Sequence, residues 1–136
     1  MHATWRRVTA TVVAVLALAA LVACSSGDGT LSRLQAEPVW TLEVPGTTVE
    51  DVVTRDGGSS LGQRVVAKAA KTVVPADGTT TAEVVAALTA AAQDSGWEDP
   101  SATDGSVTWT KVVDGVTWTL YVAEEDDGVR VSLDAS

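Results

Sequence analysis

The chain has 136 residues, with 9 Lys and Arg against 18 Asp and Glu, for a formal charge of −9. It is too short for two ordinary domains and too acidic to bind nucleic acid by neutralising phosphates. One Cys, at position 24, excludes an intrachain disulfide framework, and the one His is His2.

The chain opens with a short segment ending in Arg6-Arg7. Residues 8–23 then run VTATVVAVLALAALVA, without charge, Gly or Pro. A basic stretch followed by a moderate apolar run predicts a secretory signal peptide over 1–23. A membrane-spanning helix needs about 20 apolar residues, so this run is short for a permanent anchor. Val8-Thr9-Ala10 lack the bulky apolar pair of a twin-arginine signal, which favours the general secretory route.

The run ends Leu21-Val22-Ala23-Cys24, followed by Ser25-Ser26-Gly27. This tetrad resembles the lipobox of bacterial lipoproteins. The resemblance implies a diacylglyceryl group on the Cys24 sulfur and cleavage just before it. It places the protein on the extracytoplasmic face of the cell membrane, held by its lipid. Each acyl CH₂ in the bilayer contributes about 0.8 kcal/mol, so two or three chains anchor firmly. Cys24 is then a thioether and neither a nucleophile nor a redox centre. The Ala-, Val-, Thr-, Gly- and Asp-rich composition and the overall layout are similar to those of small actinobacterial lipoproteins.

Residues 24–38 are expected to be the lipidated cysteine and a flexible tether, because SSGDGTLSRLQAEP is small, polar and aperiodic. Residues 39–136 are expected to form a single domain. Trp40–Val44 alternates and stops at Pro45-Gly46, as a strand does. Thr48–Thr54 suits a short capped helix or a strand. In Arg64–Val74, the basic residues at 64, 68 and 71 have helical spacing. Its Val and Thr content and the Pro75 stop favour a strand, which is the reading adopted.

Thr80 and Glu83 form a T-x-x-E capping box ahead of a helix over about 81–93, with Gly96 as its left-handed cap and Trp97 folding back. Val107–Val113 and Val116–Val122 flank Asp114-Gly115, the strongest short hairpin signal. A two-residue loop pairs Val113 with Val116, Lys111 with Trp118, Trp109 with Leu120 and Val107 with Val122. All eight share one face, and Lys111 alone among them is polar. A second hairpin through Asp127-Gly128 is expected to bring Val122 opposite Leu133. The fold class expected is α+β: an antiparallel sheet of about four or five strands with one main helix on its apolar face.

The chemistry is mostly absent. Without His2 and with Cys24 lipidated, the chain has no Ser-His-Asp or Cys-His machinery and no nitrogen or sulfur metal ligand. The glycines make no phosphate loop. No cofactor, metal site or catalytic residue is expected. Glu124, Glu125, Asp126 and Asp127 are the densest acidic run, expected as a solvated turn and an acidic patch for a partner. After residue 23 there are 7 bases and 18 acids, and residues 83–136 alone carry 11 acids and 2 bases.

The function expected is a non-catalytic binding or protein-interaction module of the cell envelope. The alternative is an acidic inhibitor or immunity-type protein masking a basic envelope enzyme or toxin. A carboxylate-dependent glycan hydrolase ranks third, since it would need two acids facing across a cleft.

Overall fold

The structure is a computed structural model that describes residues 27–136. The expected signal peptide and the expected lipidation site, Cys24, lie outside the described residues.

Two short helices come first, α1 (Thr30–Gln35) and α2 (Pro38–Thr41). Strand β1 (Thr47–Arg55) leads to a small hairpin, β2 (Gly58–Ser60) and β3 (Gln63–Val65). Then follow β4 (Ala67–Pro75), helix α3 (Thr81–Asp94), β5 (Glu98–Thr103), β6 (Ser106–Val113), β7 (Val116–Glu125) and β8 (Gly128–Ala135). Six strands make one antiparallel sheet in the order β1-β4-β8-β7-β6-β5, and β2 and β3 pair separately. The class is α+β. The sheet has more strands than the four or five expected, and two short helices accompany α3.

The β6–β7 hairpin has the register that its alternation dictates, from Val113–Val116 to Val107–Val122. The next hairpin turns one residue earlier than expected, which shifts the cross-strand pairing by two. Asp126-Asp127 form the loop, Glu125 pairs with Gly128, and Leu120, not Val122, faces Leu133. A shift of two keeps every side chain on its face, so the apolar side survives the correction. Gly128 is needed in the strand itself, because a Cβ there would collide with the Val73 carbonyl on β4.

One face of the sheet is buried. Trp118, Leu120, Val122, Val129, Val131 and Leu133 pack against Val84, Leu88 and Ala92 of α3. Helix α3 begins with the expected capping box: the Thr80 hydroxyl accepts from the Glu83 N–H, and the Glu83 carboxylate accepts from the Thr80 N–H. It ends in a Schellman motif. Gly96 has φ of 85°, its N–H bonds the Gln93 carbonyl, and the Trp97 N–H bonds the Ala92 carbonyl. That turn drops Trp97 into the core.

Two expectations for the N-terminal half resolve differently. Residues 27–38 are not a loose tether after all: Leu34 of α1 is completely buried beside Val39. The expected strand at Trp40–Val44 is instead a helical turn, started by Pro38 at its first position, and then irregular chain. Residues 48–54 belong to β1, a strand. Residues 64–74 are extended as expected, divided between β3 and β4. β5 was not anticipated, because Pro100 argues against a central strand. The structure places it at the sheet edge, with a register break beside Pro100, where a missing N–H costs no ladder bond.

Replacing Leu34 with Ala tests whether α1 belongs to the core. Urea denaturation is expected to show a loss of about 2–5 kcal/mol. An unchanged midpoint would return this segment to the status of a tether.

Candidate functional site

β4 presents Ala67, Ala69, Lys71 and Val73 to the covered face, each opposite an apolar residue of β8. Lys71 therefore enters the domain on an apolar face. Only 7% of it is exposed. Its Nζ donates to the Trp40 carbonyl at 2.6 Å and lies 4.7 Å from the centroid of the Trp40 ring. Among the described residues no carboxylate lies within 4.0 Å of that ammonium. Burial holds the Lys71 pKa below its ordinary value.

Lys71 and Val73 form the floor of an open cleft of about 590 Å³. Val49 of the edge strand β1 closes one side, and residues 40–46, after α2, close the other. The lining is mixed: Trp40, Leu42 and Val44, packed against the core, and Val49 supply apolar surface, and Thr41, Glu43, Thr47 and main-chain groups supply polar surface. Glu43 also borders the cleft but makes no ion pair with Lys71. One cation beneath an apolar wall, with an aromatic ring beside it, is an arrangement that takes an anionic group.

The segment that walls this cleft is held by a second, half-buried lysine. Lys111, on the same sheet face, donates to both Glu37 oxygens at 3.0 and 3.1 Å and to the Ser95 carbonyl at 2.9 Å. All three of its protons are used. The Trp97 indole N–H donates to Glu37 Oε2 at 3.2 Å. Glu37, between α1 and α2, thereby joins the N-terminal helices to β6 and to the end of α3. This group is saturated and therefore structural, whereas the Lys71 ammonium has one hydrogen bond and no counter-charge. A second cleft of about 480 Å³, between α3 and the Asp104-Gly105 turn, has no cation in its lining.

The acidic run lies at the same end of the sheet as the Lys71 cleft: Gly128, next to Asp127, packs on Val73 of the cleft floor, and Glu124 lines the second cleft. Glu124 and Glu125 end β7, and Asp126 and Asp127 form the exposed turn to β8. The Glu124 N–H bonds the Gly105 carbonyl, which brings the Asp104-Gly105 turn alongside. Cys24, the expected lipidation site, is outside the described residues. Lys71 and Glu37 were not singled out from sequence. A signal for Lys71 existed: strand alternation through Ala67, Ala69 and Val73 puts it on the buried side.

In comparison with known proteins, no family model, no curated protein and no solved structure matches the chain.

A lowered Lys71 pKa has a signed consequence. The folded state releases this proton before the unfolded chain does. Below the folded pKa, the buried charge therefore penalises folding in full. Stability then rises with pH until Lys71 of the unfolded chain also titrates, near 10.5. Urea denaturation of wild type and Lys71→Met between pH 7 and 11 is expected to show the wild type gaining on the variant as pH rises. A gap independent of pH would contradict it.

Proposed function

We propose that the protein is a non-catalytic binding module of the cell envelope. A lipid on Cys24 holds it at the outer face of the cell membrane. The Trp40–Lys71 cleft is its ligand site. The ligand carries an anionic group, such as a carboxylate, on an apolar body. The anion meets Lys71 and the apolar part lies along Val49, Leu42 and Val44. The observation that carries this reading is the buried Lys71 ammonium without a counter-ion. A buried charge left unpaired is costly, and an incoming anion offsets that cost.

The reading predicts selectivity for charge over chain length. In titrations followed by Trp40 fluorescence, decanoate is expected to bind at least about tenfold more tightly than decanol, a difference of about 1.4 kcal/mol. Lys71→Met is expected to erase that preference, and Lys71→Arg to keep part of it. Equal binding of acid and alcohol to the wild type would sink the proposal.

A second reading rests on the acidic turns that border the cleft's end of the sheet, where the Ala76 N–H bonds the Gly46 carbonyl. The turns at 76–80, 104–105 and 124–127 contain Asp77, Asp104, Glu124, Glu125, Asp126 and Asp127 and no Lys or Arg. Such an end steers a basic protein partner, as an inhibitor or immunity-type protein requires. Crosslinking in intact cells should capture a basic envelope protein. Reversing the four charges at 124–127 to Lys should abolish that capture, and a yield unaffected by the reversal counts against this reading.

A further inference from the structure

The end of the domain nearest Cys24 has an unusual hairpin tip. β2 and β3 are joined by Leu61-Gly62, with φ of 51° and 77°. Two-residue turns of this hand favour Asn-Gly or Asp-Gly, since a left-handed conformation is unfavourable for other side chains. The same chain uses Asp-Gly at its other left-handed tight turns, 104–105 and 114–115. Only at 61–62 does it place a leucine there, and that leucine is fully exposed. Folding gains nothing from Leu61.

The chain enters the domain beside this hairpin. The Asp28 N–H donates to the Gly57 carbonyl at 3.2 Å, just before β2. Gly27 packs so closely on the Asp56 carboxylate that a Cβ has no room. Three residues separate Cys24 from Asp28. Four peptide steps reach at most about 14 Å. A lipid on Cys24 therefore brings this corner of the domain against the bilayer.

The charges agree with that placement. Of the seven Lys and Arg after residue 24, four lie at this end: Arg33, Arg55, Arg64 and Lys68. They offset Asp28, Asp56, Asp114 and Asp134, so the corner beside the hairpin is nearly neutral, while Glu98 and Asp99 at the same end lie on the far edge strand β5. The opposite end, about 25 Å away along eight-residue strands, carries the acidic turns. Anionic lipid repels that end and tolerates this one.

We propose that the β2–β3 hairpin is a membrane-contacting element that seats Leu61 among the lipid acyl chains and orients the acidic turns outward. The proposal rests on the lipid-anchor reading of Cys24. One buried leucine is enough to orient a domain that is already anchored but not to hold it alone.

The test uses the full lipoprotein, purified from membranes and placed in vesicles of equal parts phosphatidylglycerol and phosphatidylcholine. Mass spectrometry first reads the lipid on Cys24. With that thiol consumed, Leu61→Cys and Asp126→Cys each offer one thiol for a solvatochromic dye. Leu61 is fully exposed, so its replacement leaves folding intact. Brominated acyl chains are expected to quench the dye at 61 about twofold or more and to leave the dye at 126 within about a fifth of its starting intensity. A lipidated Cys24 with no quenching at 61, or with equal quenching at both positions, overturns this inference alone. An unmodified Cys24 overturns both this inference and the anchor.

Discussion

The bond between Lys111 and Glu37 is the constraint on which the rest of the structure depends. Lys111 sits in the row of the sheet that α3 must cover, between Trp109 and Val113. An ammonium there cannot be left unpaired at tolerable cost. Its partner does not come from the sheet or from α3. It comes from Glu37, 74 residues earlier in sequence. Satisfying one charge therefore recruits the whole N-terminal segment. Leu34 and Val39 follow it into the core, and the Trp97 indole completes the group. Removing Glu37 would leave the Trp97 indole N–H without its partner and the Lys111 ammonium with only the Ser95 carbonyl, so the parts stand or fall together.

That recruitment also makes the cleft. Once Glu37 is fixed, Pro38 starts a single helical turn that sets the Trp40 carbonyl and ring against Lys71. The chain then runs to β1 and leaves space above Lys71. The two lysines on the buried face thus have different roles. Lys111 has every proton satisfied and closes the structure. Lys71 has a carbonyl and an aromatic face, which tolerate its charge without neutralising it. The same docking leaves only three residues between Cys24 and the folded chain. With Cys24 lipidated as proposed, so short a link would give the domain a preferred face toward the bilayer, with its acidic turns projecting away.

Much of this fold was legible because local signals agreed with one another. Asp114-Gly115 fixed a turn, alternation on both sides fixed the register, and the structure reproduces each pair. Thr80, Glu83, Gly96 and Trp97 marked both ends of α3 by hydrogen-bonding logic that is local in sequence. What was not legible depends on long-range pairing. Nothing in SSGDGTLSRLQAEP has a period, since α1 and α2 are too short to show one. Their order comes from Glu37 meeting Lys111, and only the single polar residue in an otherwise apolar row hinted at it. β4 was obscured because Arg64, Lys68 and Lys71 imitate helical spacing. The candidate site suffered in the same way: Lys71 looked like one of three surface cations until the sheet placed it opposite Val131. The acidic run was visible from sequence, and the structure adds which turns stand beside it.

The central claim is that Glu37 and Lys111 dock the N-terminal segment and so build the cleft. Amide hydrogen exchange in the wild type and in Lys111→Met tests it most directly. In the wild type, the amides of Ala36, Trp40, Thr41 and Leu42, all hydrogen-bonded, should be protected. In Lys111→Met they should exchange at least about tenfold faster, while β8 keeps its protection relative to global stability. Free exchange at these amides in the wild type, or a uniform loss across the segment and β8 alike in the variant, would contradict the account.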